Sequence, residues 1–173
     1  MMQLLVVFAG LPGVGKSTLA GQVGVALGAP VLPVDPIERA LARHGLTGPG
    51  AGLASHGSGL VGYDALAGLA EVQLGLGTSV VVDAVNPVAG ARGLWLDLAA
   101  RAGVPLRLIE VYCGDEAELR RRVEARHAAD PLAPTWEQVR RRGAEYEPLI
   151  GPRLVVDTTI AIDPLPAILR YLA

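Results

Sequence analysis

An α/β fold, an open parallel sheet covered by helices on both faces, is what this sequence predicts, and three features point to it. Five short apolar runs are spread along the chain. Their hydrophobicity is near-continuous rather than alternating, the mark of strands buried on both faces. Helical patterns lie between them, giving the βαβ rhythm of a parallel sheet.

The first run, QLLVVFA from Gln3 to Ala9, has no basic residue before it and leads straight into a glycine loop, so it reads as a buried strand and not as a secretory leader. Lys16 to Leu27 follows as a helix. PVLPV, Pro30 to Val34, is the second strand, and Pro36 to His44 the second helix. Asp35-Pro36-Ile37-Glu38 also fits a helix start, with Asp35 as N-cap, proline at the first position and Glu38 completing a box. A helix over Leu60 to Leu76 precedes SVVVDA, the third strand from Ser79 to Ala84. Pro87 to Ala102 is helical, with Asn86 placed to cap it. LRLIEVYC, Leu106 to Cys113, is the fourth strand. DEAE (Asp115 to Glu118) and TWEQ (Thr135 to Gln138) are capping boxes for helices over Glu116 to His127 and Trp136 to about Tyr146. RLVVD, Arg153 to Asp157, is the fifth strand, and Pro164 to Leu172 closes the chain. Two stretches stand apart. Arg43 to Gly62 is too glycine-rich for a stable helix, and His127 to Thr135 separates two arginine-rich helices.

At 173 residues the chain fits a single domain, 1–173, with no internal repeat and room to bury roughly 70% of its unfolded surface. The hydrophobic content of 51% comes from alanine and short aliphatic runs. No stretch approaches the roughly 20 apolar residues of a membrane span. The single cysteine, Cys113, excludes an internal disulfide and reads as a buried small apolar residue, so a reducing, cytoplasmic setting is expected. A net charge of −2 gives no general attraction for nucleic acid or anionic membrane, which makes a small neutral or anionic substrate the simpler expectation.

The chemistry starts at GLPGVGKS, Gly10 to Ser17, which matches G-x-x-x-x-G-K-[ST] and sits between a strand and a helix, as the motif requires. The alternative is a glycine-rich turn before an ordinary helix. In the phosphate-binding reading, glycines turn consecutive backbone amides inward as an anion nest, and the helix N-terminus adds partial positive charge. Gly10, Leu11, Pro12, Gly13, Val14, Gly15, Lys16, Ser17 and Thr18 then cradle phosphates, with Lys16 on the outer ones and the Ser17 hydroxyl on Mg²⁺. Lys16 is the only lysine in the chain; every other basic side chain apart from histidine is arginine. A compact ammonium is kept where a planar fork would not fit. An N-K-x-D guanine-reading element needs a second lysine, so the nucleotide expected is ATP.

With these residues the sequence resembles the P-loop kinases of the adenylate-kinase-like group. It is similar in particular to the small kinases with a GxPGxGKST loop, which include polynucleotide kinase, gluconate kinase, chloramphenicol phosphotransferase and zeta-toxin-like enzymes. The resemblance runs from the loop through the D…R segment and VVVDAVN to the late arginine helices. It implies a three-layer P-loop NTPase sandwich with strand order 2-3-1-4-5, phosphates over Gly13 to Thr18, and an acceptor in the cleft beyond the strand ends. In many such kinases the aspartate ending the second strand activates the acceptor hydroxyl, and Asp35 holds that place. A carboxylate there makes chemical sense, because it can accept the hydroxyl proton as attack on phosphorus develops. The competing reading is the N-cap.

Arg39, one turn on, is placed to meet an anionic acceptor or the transferred phosphoryl group, although the related kinases often carry arginine one residue earlier. The alternative is a solvated helix charge. Asp83 ends the third strand where this architecture holds Mg²⁺, usually through water; a turn aspartate is the other reading. Asn86 is a helix cap or, second, a substrate contact, and Arg92 resembles a recurrent arginine of the group. Arg122 and Arg126 share a helix face, and the resemblance makes them lid arginines, in a lid of about 120–145 that closes over the ATP phosphates. Otherwise they form an exposed basic face paired to Glu118 and Glu124. Arg140 to Arg142, near Glu145 and Glu147, read as surface.

His44 and His56 have no companion ligands for a metal, and belong to an acceptor-side segment, 43–62, that can move, with Tyr63 and Asp64 as further contacts. Trp95, Trp136 and Tyr112 read as packing residues, with Trp136 also able to cover a base. The expected activity is ATP- and Mg²⁺-dependent transfer of the γ-phosphate to a hydroxyl of a small molecule. The alternatives are a regulatory ATPase acting through a partner and a polynucleotide 5′-hydroxyl kinase.

Overall fold

The computed structural model describes residues 2–46, 60–160 and 162–173. Five strands, β1 (Leu5–Ala9), β2 (Val31–Pro33), β3 (Val80–Asp83), β4 (Leu106–Tyr112) and β5 (Leu154–Asp157), form one sheet in the order β2-β3-β1-β4-β5. Every pairing is parallel. The helices are α1 (Lys16–Leu27), α2 (Asp35–Arg43), α3 (Val61–Gly75), α4 (Ala89–Ala102), α5 (Glu116–Ala129), α6 (Trp136–Ala144) and α7 (Leu165–Leu172). The expected class and strand order are those observed.

The central strand shows why the apolar runs are continuous. All five residues of β1 are fully buried. Successive side chains point to opposite faces, so Val6 and Phe8 join a core with Leu19, Val23, Leu119, Val139 and Ile168 from α1, α5, α6 and α7. Leu5 and Val7 join another with Leu66, Ala70, Trp95 and Leu98 from α3 and α4. A strand covered on both sides has no face to leave polar.

Parallel strands also place all five carboxyl ends at one edge of the sheet, where open α/β sheets gather their ligands. The loop after β1, Asp35 after β2, Asp83 ending β3 and Thr158 after β5 therefore lie on the same side. Among the described residues no helix is long and apolar enough to cross a membrane.

Several local expectations are corrected. Helix α4 starts at Ala89, not Pro87, because Asn86 holds a left-handed backbone (φ 52°) and Val88 is the N-cap. Its Ala89 amide is met by the Glu147 carboxylate, 2.6 Å away, and not by Asn86. Thr135 forms the full capping box, whereas Asp115 caps α5 by accepting from the amides of Ala117 and Glu118. Cys113 is half-buried, and its thiol donates to the Asp115 carbonyl at 3.3 Å. Tyr112 is 44% exposed and is not a core residue. Most of the 43–62 segment, His56 included, lies outside the described residues.

Candidate active site

The loop between β1 and α1 is built to glycine dimensions. A Cβ on Gly10 would stand 2.0 Å from the Val111 carbonyl oxygen of β4, and one on Gly13 would stand 2.6 Å from Cγ2 of Val123 on α5. Both have positive φ, 138° and 88°, so their backbone is itself one that side chains resist. The loop is pinned by Gly10 N–H to Val85 O (3.1 Å) and by the Thr158 hydroxyl to Val14 O (2.9 Å). Gly15 is the N-cap of α1 and contributes no side chain. The first-turn amides of α1 therefore have no side-chain cap, an arrangement able to receive an anion.

Lys16 is buried, and its Nζ donates to the Leu11 carbonyl at 2.9 Å, folding the side chain back across the loop. Burial pulls its ammonium pKa down to about 8. The carboxylates of Asp83 and, more weakly, Asp35 oppose that fall, while Arg126 and Arg142 add to it.

Around Lys16 the fold collects Ser17, Asp83, Asp35 and Arg126, which line one small enclosed space. Asp83 is 8% exposed, at the end of β3. The hydroxyl of Ser17 and the carboxylate of Asp83 are the hard oxygen donors that suit Mg²⁺, which keeps several waters and needs only one or two protein ligands. Among the described residues no group of three or more His, Cys, Asp or Glu is arranged to hold a metal ion by itself.

Asp35 is not a helix cap. The N-cap of α2 is Val34, no side chain caps the helix, and Asp35 is its first residue with Pro36 next. Its half-exposed carboxylate faces Arg126 of α5 at 3.4 Å. Four residues along α2, Arg39 pairs with Asp130, the C-cap of α5, at 2.8 Å. Two ion pairs of opposite polarity, each spaced i and i+4 on both helices, therefore join α2 to the end of α5. Arg39 is engaged by protein and not held out as a free cation.

Of the α5 arginines, Arg126 faces the phosphate loop across Asp35. Arg122 lies behind the loop: it pairs with Glu118 at 2.7 Å and donates to the Thr158 hydroxyl (2.9 Å) and carbonyl (3.2 Å). Arg120 and Arg121 are exposed and paired with Glu124 and Glu118. Arg120 and Arg121 thus form the exposed, paired face, while Arg122 and Arg126 reach Thr158 and Asp35 on other segments.

The structure removes Asn86 and Arg92 from the cleft. Asn86 is fully buried; its Nδ2 donates to Phe8 O (2.8 Å), its Oδ1 accepts from the Trp95 indole (2.7 Å), and its amide donates to the Tyr63 hydroxyl (3.0 Å). Tyr63 and Trp95 are core residues tilted against each other. The guanidinium of Arg92 donates to the carbonyls of Asn86, Pro87, Pro148 and Glu147, and lies over the Tyr146 ring. It ties the chain after α6 to the start of α4. Trp136 packs half-buried against the core.

Other residues enter instead. A cleft of about 540 Å³ opens between α2 and α6, lined by Asp35, Glu38 and Arg39 on one wall and by Gln138, Arg141, Arg142 and Glu145 on the other. Positions 138, 141, 142 and 145 share one helical face, a spacing visible in the sequence. The nearby acids made Arg141 and Arg142 read as surface. Glu38, read only as part of a cap, lies one turn from Asp35 on the same side of α2.

The AAA_33 family model, described as an AAA domain, matches residues 5–149. No curated protein sequence matches at comparable significance. Among solved structures, a Chloroflexus aurantiacus protein provisionally designated a kinase has a TM-score of 0.74 at 23% identity, over 99% of this chain and 94% of its own. The APS kinase CysC of Mycobacterium tuberculosis, in complex with AMPPNP and APS, has a TM-score of 0.73 at 22% identity over 99% of each chain. Kti12 of Chaetomium thermophilum, with ADP-AlF3, has 0.72 at 20%, over 98% of this chain and 99% of that one. At these identities the likeness establishes the fold.

Proposed function

The chain belongs to the AAA domain family and to the adenylate-kinase-like group of P-loop proteins, and from that premise we propose that it is an ATP- and Mg²⁺-dependent kinase that phosphorylates a hydroxyl of a small molecule. One observation carries this reading: Asp35 is free of any capping role and lies where the Lys16 pocket meets the cleft between α2 and α6. A nucleotide on the loop and an acceptor in the cleft would meet at that carboxylate.

In this mechanism Asp35 accepts the proton of the acceptor hydroxyl as the acceptor oxygen bonds to the γ-phosphorus and the bond to the β,γ-bridging oxygen breaks. The phosphoryl charge is met by the Lys16 ammonium, the loop amides and the Arg126 guanidinium. Arg126 must leave Asp35 to do so, which releases the base when the triphosphate arrives. Ser17 and Asp83 would hold Mg²⁺, which supplies charge neutralisation between the phosphates. Arg122, fixed to Thr158, steadies the loop from behind.

The test is ADP release measured with a panel of small alcohols. Asp35→Asn is expected to lower kcat by about 10²–10⁴-fold, the range of a general base, while an ATP analogue still binds. Full turnover by Asp35→Asn on the true acceptor would refute the assignment. A partner-stimulated ATPase is the second reading, favoured by the ion pair that occupies Asp35 in the structure. It expects hydrolysis that responds to a protein partner and to no acceptor.

A further inference from the structure

We infer that Glu38 selects the acceptor, and that the acceptor presents a second hydrogen-bond donor, an ammonium or a hydroxyl, beside the hydroxyl that reacts. This rests on the kinase reading and names its substrate class: an amino alcohol or polyol with no phosphate or carboxylate at that end.

Glu38 is half-buried in the wall of the cleft. A residue three positions from Asp35 along a helix is its neighbour, with about 5–6 Å between Cβ atoms. On its other side is Gly62 of α3, where a Cβ would come within 3.1 Å of Glu38 Cγ and 4.0 Å of its Oε1. The missing side chain at 62 leaves room for the Cγ methylene of Glu38, on which the carboxylate is carried into the cleft. The other charges of this wall are matched, Arg39 by Asp130 and Asp35 by Arg126. Arg142 acts on Glu38 only through its field, and no hydrogen bond or ion pair from a described residue reaches the carboxylate. Burial raises its pKa above the usual carboxylate value, with Asp35 adding and Arg142 opposing.

An acceptor entering the cleft expels the water that now solvates Glu38. A carboxylate stripped of water needs a donor in exchange. A phosphate or carboxylate there would face Glu38 and Asp35 together, whereas an ammonium or hydroxyl would satisfy both. The basic wall on α6 lies opposite, so the acceptor has a polarity: donors toward α2, acceptor oxygens toward Arg141 and Arg142.

The experiment measures acceptor-dependent ADP release with glycerol, glucose, ethanolamine and glucosamine against 2-methoxyethanol, which has a reactive hydroxyl and no second donor. Wild type, Glu38→Gln, Gly62→Ala and an exposed control on α3, Glu71→Gln, are compared. For the acceptors with a second donor, Glu38→Gln is expected to raise KM about 10- to 100-fold, the worth of a hydrogen bond to a charged group. Gly62→Ala, which crowds the Glu38 side chain at Cγ and displaces its carboxylate, moves KM in the same direction, and Glu71→Gln does not. Turnover of 2-methoxyethanol by wild type equal to that of glycerol or ethanolamine, or KM within about twofold in both Glu38→Gln and Gly62→Ala, overturns the inference. If wild type turns over no member while an ATP analogue still binds, the kinase reading itself falls, and this inference with it.

Discussion

Replacing Lys16 by arginine keeps the charge and changes only its shape, which makes it the sharpest test of why this chain retains a single lysine. Nζ is buried 2.9 Å from the Leu11 carbonyl. The enclosed space that Lys16 shares with Ser17, Asp35, Asp83 and Arg126 is about 20 Å³, room for one water molecule. Arginine brings two more heavy atoms and a rigid plane, so either the loop or Asp83 must shift. Overpacking of this kind costs about 1–3 kcal/mol, a roughly 5- to 150-fold loss in affinity at 1.4 kcal/mol per decade. Titration calorimetry with a non-hydrolysable ATP analogue should show Kd weakened by at least about fivefold in Lys16→Arg, and the free protein should melt a few degrees lower because the same misfit strains the folded loop. An affinity within about threefold of wild type would show that charge alone matters there, and the shape argument would be wrong.

The depressed pKa of Lys16 sets a pH dependence. In the free protein the ammonium loses its proton near pH 8, below its ordinary 10.5, and bound phosphate restores it. Nucleotide binding should therefore take up a proton above about pH 8, and affinity should fall as pH rises, read by calorimetry in buffers of different ionisation enthalpy; Lys16→Met abolishes the uptake. By the same linkage the free protein's stability rises from about pH 8 toward 10.5, because the unfolded chain binds the proton that the folded one has lost. Asn86→Ala leaves the buried Trp95 indole N–H without its partner and puts alanine at φ 52°. A loss of about 3–5 kcal/mol is expected, each unsatisfied group costing about 1–3; a chemical-denaturation loss below 1 kcal/mol would refute the interior role. For the Arg39–Asp130 pair, exposed by 40% and 38%, a double-mutant cycle should give a coupling of only about 0.2–1 kcal/mol in stability.

The order of elements was legible because each rests on a short-range rule. Strands covered on both faces must be apolar throughout, and β1, with every residue buried, is the plainest case. Lys16, Asp35 and Asp83 were legible for a related reason. Each follows or ends a strand, and in a parallel sheet all those ends converge on one edge. Residues inside helices carried no such address. Arg92 and Arg126 are each one arginine among helical neighbours, yet one clamps four carbonyls while the other faces the phosphate loop across Asp35.

What this sequence determined by itself, then, was the layered sheet, the phosphate loop and the acids at the strand ends, all consequences of periodicity and of backbone chemistry within a few residues. Only the tertiary structure decided that Asn86 is an interior hub, that Val34 and not Asp35 caps α2, and that Glu38 and Arg142 share a cleft. Those outcomes depend on which groups from distant segments come within hydrogen-bonding or Coulombic reach, and no local pattern records the approach of Phe8 O to Asn86 or of α6 to α2.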